Sequence, residues 1–277
     1  MRVTMKIQKA ILFLFAAVLV LGLSACGKKA DADVLMREAK TNANAIQNCS
    51  ATYASELVFT ANGKQNVFKT NTNCVYWAKP FAMKSTQNTL LGNTANTSVS
   101  YTVTDEDGVW FYSNTGSGWQ KTSAEGVGTT PLEQIDILRL TDSISSRKYV
   151  RETEINSRKV HKIELTFQSD VLRSTVETIV TATGMGQGSK TIVQTLLENA
   201  PTVYGYAYLD ESTGQLVRLE LDATEAVNKI FQSIDGSGIK VNVSRCVTSG
   251  DITDIGKAPA VSLPADAATA QTVQAAG

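Results

Sequence analysis

The chain has 277 residues with 26 Lys+Arg, 26 Asp+Glu and one histidine, so its formal net charge at pH 7 is zero. No basic stretch offers the clustered positive footprint of a nucleic-acid binder, and Lys28 with Lys29 is too small a patch to hold an anionic membrane surface. Four cysteines without a Cys-x-x-Cys, five prolines and recurrent Val/Thr alternation argue for an extracytoplasmic, sheet-rich protein and against a dithiol redox enzyme.

The first 26 residues set the location. Arg2, Lys6 and Lys9 precede an apolar run from Ala10 to Leu21, too short to span a bilayer comfortably, and Leu23-Ser24-Ala25-Cys26 follows. This ending resembles the lipobox of bacterial lipoprotein signals, in which the cysteine is acylated and the chain is cut before it. The resemblance implies a leader over 1–25, a lipid anchor on Cys26 that ties the protein to the bilayer, and a tether over 26–32. Three cysteines remain, Cys49, Cys74 and Cys246, so at least one has no partner within the chain. Cys49 and Cys74 are the nearer pair, and closing their loop with a disulfide is worth about 3 kcal/mol.

Beyond the tether, Val34, Leu35, Ala39, Ala43 and Ile46 recur at helical spacing, which predicts an amphipathic helix over 33–47 with Asp33 near its start. Period-two alternation then predicts a strand around Tyr53 to Thr60, a turn at Asn62-Gly63, and strands over 66–77, 83–90 and 97–104. Asp105-Glu106-Asp107-Gly108 reads as a hairpin into Val109 to Tyr112. It lacks the ligand spacing of a calcium loop.

A short helix is expected over 130–141 behind Pro131, followed by strands over 145–155 and 159–167 joined at Asn156-Ser157. His161 shares a face with Ile163, Leu165 and Phe167 and reads as a core residue. Neither a zinc-ligand pattern nor a nucleophile elbow accompanies it. Leu172, Val176, Ile179 and Leu196 lie in a helical region over 169–200, interrupted by Gly184-Met185-Gly186-Gln187-Gly188, which lacks the Lys-Ser/Thr of a phosphate loop. Tyr204, Tyr206 and Tyr208 form one parity of a strand over 202–210, either packed under those helices or walling a ligand. A strand over 215–222 returns. Two more are expected over 239–248 and 251–257 around a Ser249-Gly250 turn, and the segment 265–277 is expected to fray.

The hairpins carrying Tyr208-Leu209-Asp210, Gly214-Gln215-Leu216 and Leu219-Glu220-Leu221-Asp222, with the ending Asp254-Ile255-Gly256-Lys257 through Val261-Ser262-Leu263-Pro264, resemble uncharacterised Gram-positive lipoproteins. Those belong to the lipoprotein-carrier-like superfamily, with the outer-membrane lipoprotein localisation proteins and the mycobacterial glycolipid-binding lipoproteins. The resemblance implies an α+β domain over 33–264: a strongly curved antiparallel sheet, an incomplete barrel, with helices covering its concave face. It also implies a non-catalytic lipoprotein that holds a hydrophobic or lipid ligand there, with Tyr204, Tyr206, Tyr208, Leu172, Val176, Ile179 and Leu196 as ligand-facing or core positions. No catalytic residue, metal site or cofactor is assigned. The alternative is a cell-envelope protein-interaction or sensor module with a filled core.

Overall fold

The structure is a computed structural model and describes residues 30–114, 116, 118–184, 189–198, 200–232 and 240–273. The expected leader and its anchor Cys26 lie outside the described residues, as do Met185, Gly186, Gln187 and Gly188 of the glycine cluster. Among the described residues no helix is long and apolar enough to cross a membrane.

Helix α1 (Ala32–Asn44) leads into a meander of β1 (Asn48–Ala61), β2 (Lys64–Ala78), β3 (Phe81–Leu91), β4 (Thr94–Asp105), β5 (Gly108–Asn114) and β6 (Trp119–Ser123). Asn62 and Gly63 take φ of 51° and 79°, the left-handed pair that a two-residue hairpin turn requires. Two one-turn helices follow, α2 (Pro131–Gln134) and α3 (Asp136–Arg139), with a 3-10 turn at Leu140–Ser143. The single helix expected over 130–141 is broken because Ile135 is extended, with φ −97° and ψ 110°.

Strands β7 (Ile144–Ile155) and β8 (Arg158–Phe167) then form a hairpin. A 3-10 turn at Ser169–Leu172 opens α4 (Arg173–Ala182), which is followed by α5 (Ser189–Glu198). The chain continues through β9 (Val203–Asp210), β10 (Leu216–Asp222), α6 (Thr224–Gln232) and β11 (Val241–Thr253). A 3-10 turn at Ala265–Thr269 and β12 (Gln271–Thr272) end it.

The twelve strands of the described residues form one sheet in the order β12-β6-β5-β4-β3-β2-β1-β11-β10-β9-β8-β7, antiparallel except for the two-residue β12–β6 contact. The expected strongly curved, incomplete barrel is overturned. The order is linear, β7 and the β6/β12 pair end it as separate edges, and the sheet is neither closed nor strongly curled. Closure demands an inner face that gains by being enclosed. The outer stretches of β2 to β4, at 71–73, 85–89 and 96–98, instead carry Thr, Ser, Gln and Asn on both faces, so that part of the sheet has little apolar surface to enclose.

The apolar half of the sheet lies on β7 to β11 and β1, and there the helices pack. Met36, Ala39 and Ala43 of α1, Ile137 and Leu138 of α3, Val176 and Ile179 of α4, and Val227, Ile230 and Phe231 of α6 join one core with Ile163, Leu165, Ala207, Leu209, Leu219 and Ile252. Helix α6 is absent from the sequence expectation. It starts where the Asp222 carboxylate accepts from the Thr224 N–H at 2.9 Å, and its residues 226, 227, 230 and 231 form an apolar stripe. The two strands expected on either side of Ser249-Gly250 are one continuous strand, β11, whose Gly250 passes beneath Ile137.

The segment expected to fray is docked instead. Trp77 Nε1 donates to the Pro259 carbonyl at 2.7 Å and Val273 N–H donates to Lys121 O at 2.8 Å. Between them Ala267 is fully buried against Tyr101 and Tyr112 on the sheet face opposite the helices.

Candidate functional site

Among the spaces on the helix-bearing side, two flank the α2–α3 segment. The first, about 430 Å³, lies between α1 and that segment. Its walls are Met36, Ala39, Ala43, Leu132, Leu138 and Ile144, and Asp33, Arg37, Lys40, Asp142 and Arg147 ring it. Two ion pairs brace this rim: Lys40 to Asp142 at 2.7 Å and Arg147 to Asp33 at 3.1 Å. The first joins α1 to the 3-10 turn after α3 and the second joins α1 to β7, while the lining residues Met36, Ala39, Ala43, Leu138 and Ile144 are buried.

The second space is a groove of about 950 Å³ between α2–α3 and the face of β1 to β5. Local chemistry sets its wall. Thr130 N–H and Oγ1 both donate to Glu133 Oε2, at 3.1 and 2.6 Å, fixing the start of α2 and holding the Glu133 carboxyl below its usual range. A Cβ on residue 128 would overlap that carboxylate where it stands, so a side chain there would displace the Glu133 cap. Tyr76 Oη donates to the Thr129 carbonyl at 2.8 Å and ties the same turn to the sheet.

The floor carries Tyr53, Thr72, Cys74, Met83, Ser85 and Phe111, while Glu133, Asp136 and Arg139 stand on the wall. Burial raises the Asp136 carboxyl against the opposing pull of Arg139, whose Nη1 is 3.4 Å away. Burial, with Asp136 second, also raises the Tyr53 phenol. Among the described residues no group of three or more His, Cys, Asp or Glu could hold a metal ion.

The residues expected to be ligand-facing or core positions separate into two environments. Leu172, Val176 and Ile179 are at most 1% exposed and fill the core, and Leu196 packs against it partly buried. They line neither space. The tyrosine row points away from the helices: Val203, Ala207 and Leu209 pack beneath them, whereas Tyr206 and Tyr208 belong to a small cluster on the opposite face with Val160 and Val217. Tyr204 is 57% exposed, Lys162 Nζ lies 3.7 Å from the Tyr206 ring centre, and the Tyr208 hydroxyl donates to Glu220 at 2.9 Å.

Cys49, Cys74 and Cys246 are all free thiols. Cys49 stands opposite Tyr76 and Cys74 opposite Ala51, so the expected bridge would join diagonal neighbours, whose Cα atoms are about 7–8 Å apart. That exceeds the span a disulfide accepts. His161, 5.9 Å from the Tyr149 ring, faces the helix side, with its Nδ1 buried and unpaired among the described residues.

The sequence reading missed the residues that shape both spaces, above all Met36, Leu132, Gly128 and Glu133. The Thr-Thr-Pro-Leu-Glu run at 129–133, a Thr-x-x-Glu cap with Pro at the first helical position, was the available signal.

No protein-family profile matches the sequence, and no curated protein matches it. Solved structures similar to the chain include LprF from Mycobacterium bovis, at 11% identity and a TM-score of 0.44, covering 83% of this chain and 94% of that one. They also include the lipoprotein LppX from Mycobacterium tuberculosis, at 9% identity and a TM-score of 0.37, covering 83% and 97%. A third is the MucA/MucB complex of Pseudomonas aeruginosa, at 12% identity and a TM-score of 0.32, covering 86% of this chain and 62% of that one.

Proposed function

We propose that the protein is a non-catalytic lipoprotein, anchored through acylated Cys26 on the extracytoplasmic face of the cell membrane, that holds a hydrophobic ligand between α1 and α2–α3. The observation that carries this reading is the 430 Å³ cavity with methyl and methylene walls and a charged rim. Its size and chemistry fit an apolar chain whose polar end stays at the surface. Leu172, Val176 and Ile179, which the sequence leaves as ligand-facing or core positions, fill the core beneath α4 and α5, which supports this cavity as the ligand space.

Native mass spectrometry of the delipidated full chain after mixing with membrane extract tests the idea. The expected result is a retained lipid adduct that disappears when Leu132→Trp fills the cavity and circular dichroism shows the fold intact. Absence of any adduct overturns the reading. The filled core favours a second reading, a cell-envelope interaction module. A reproducible co-purifying protein, with no lipid on the wild-type chain, would select it.

A further inference from the structure

Five charged side chains line the 430 Å³ cavity between α1 and the α2–α3 segment, three cations and two carboxylates. Both carboxylates are occupied: Asp142 pairs with Lys40 at 2.7 Å and Asp33 with Arg147 at 3.1 Å. The cation left over is Arg37. Among the described residues its guanidinium makes no ion pair and no hydrogen bond. Arg37 follows Asp33 by four residues on α1 and precedes Lys40 by three, so the three lie along one face of the helix with Arg37 between the two braces. Asp33 and Arg37 have the spacing of an ordinary helical ion pair, yet Asp33 pairs instead with Arg147 on β7.

The rest of the lining is apolar. Met36, Ala39, Ala43, Leu138, Ile144 and Leu216 are each at most 7% exposed. Thr141 also lines the space, but its hydroxyl proton is committed to the Leu138 carbonyl at 2.6 Å. Size then limits what such walls can hold. A methylene fills about the volume of a water molecule, roughly 30 Å³, so 430 Å³ admits on the order of 14 methylenes. That is one acyl chain. A lipid with two chains of this length needs roughly twice the space.

We infer that the ligand of this cavity is a single-chain amphiphile with an anionic head, a carboxylate or a phosphate, whose chain lies against the apolar walls while Arg37 takes the head. The inference rests on the reading of the cavity as a ligand site and names the class of ligand. Charge balance selects the head. An anion completes the third ion pair of the rim, and a guanidinium holds a carboxylate or phosphate through two parallel N–H···O bonds. An ammonium head finds both carboxylates occupied and meets the repulsion of Arg37. An uncharged head keeps the chain contacts and gains nothing from the guanidinium. Arg37 is exposed, so water screens its attraction and the head adds a modest preference to an affinity set by the chain.

Calorimetric titration of the delipidated full chain, with each ligand below its micellar concentration, tests the inference. Across saturated fatty-acid anions of increasing length, affinity is expected to rise about fourfold per methylene and to level off at about fourteen carbons. Tetradecanoate is expected to bind at least fivefold more tightly than its uncharged glycerol monoester, and tetradecyltrimethylammonium more weakly than either. Arg37→Gln is expected to abolish the preference for the anion while leaving the affinity for the monoester within twofold, and Leu132→Trp to abolish binding of both. A lysophosphatidylglycerol of the same chain that binds more tightly than tetradecanoate would identify the head as a phosphate, and the reverse order as a carboxylate. Equal affinity for tetradecanoate and its monoester, or an anion preference that survives Arg37→Gln, overturns the inference and leaves the cavity a ligand site. Binding of two-chain lipids without any single-chain ligand does the same. Absence of binding by every lipid overturns both.

Discussion

Gly250 of β11 lies so close under Ile137 of α3 that a Cβ built on it would sit 3.1 Å from Ile137 Cβ and 2.7 Å from the Thr52 carbonyl oxygen. Ile137 is 1% exposed, so it has no room to retreat. Adding one methyl group therefore pushes α3 off the sheet or distorts the β1–β11 ladder. Gly250→Ala is expected to destabilise the fold by about 1–3 kcal/mol, the usual cost of overpacking a tight contact. Urea unfolding followed by tryptophan fluorescence measures it, and an unchanged midpoint would show that the segment carrying both candidate spaces is loosely docked.

The thiols and phenols predict an alkaline limit. Burial pushes Cys49 up to about 12 and Cys74 and Cys246 up to about 11, with a neighbouring thiol adding to Cys49 and Asp136 to Cys74. Burial likewise moves Tyr76 and Tyr208 up to about 12. In the unfolded chain these thiols ionise near 9, so between pH 9 and 11 the unfolded state loses protons that the folded state keeps. Stability is full below pH 9 and falls as the pH rises through that window. At pH 8 all three thiols are expected to react with iodoacetamide far more slowly than in urea. Fast alkylation of native protein, counted by mass spectrometry, would contradict their burial.

Much of the local structure was legible because it depends on neighbours in sequence. The Asn62-Gly63 and Asn156-Ser157 turns need positive φ at both residues, and alternation located the strands that they join. What escaped depends on distant partners. Residues 249–250 look like a turn in isolation, yet the glycine serves a helix more than a hundred residues earlier in the chain. Alternation separated Tyr204, Tyr206 and Tyr208 from Val203, Ala207 and Leu209. It could not say which parity lies under helices, since either can be buried. Sheet closure was unreadable for the same reason: curvature follows from what the two halves of the sheet can bury together. The apolar cavity lies between helices, where no periodicity marks a gap.

Ala267 beneath Tyr101 and Tyr112 makes the C-terminal strap part of the fold. It is fully buried, so Ala267→Glu sets an unpaired charge against two aromatic rings, at an expected cost of at least about 2 kcal/mol. The damage is expected to be local, because β4 to β6 keep their own pairing. Hydrogen exchange should show faster exchange of the Val273 amide and of β6, with β8 to β11 unchanged. Wild-type exchange in β6 that is already as fast as in the variant would mean that the strap is not docked in solution.

Asp210 anchors the β9–β10 turn against α1. Its Oδ1 accepts from the Ser212 and Thr213 amides at 3.0 and 2.8 Å and from both hydroxyls at 2.6 and 3.0 Å, while Oδ2 lies 3.3 Å from Arg158 Nε. Burial raises its carboxyl, but these donors outweigh burial and leave it below the usual carboxylate value. The turn in turn holds α1, because Asn42 Nδ2 donates to Thr213 O at 3.0 Å. A depressed folded-state value means that the contribution is present above the unfolded value of about 4 and is lost as the pH falls below it. Asp210→Asn keeps the shape but removes the charge and one oxygen acceptor, so a loss of about 1–3 kcal/mol is expected at pH 7. Between pH 5 and 3 the wild type should lose more stability than the variant, closing part of the gap. If urea midpoints of the two proteins fall in parallel over that range, the carboxylate is not what secures the turn.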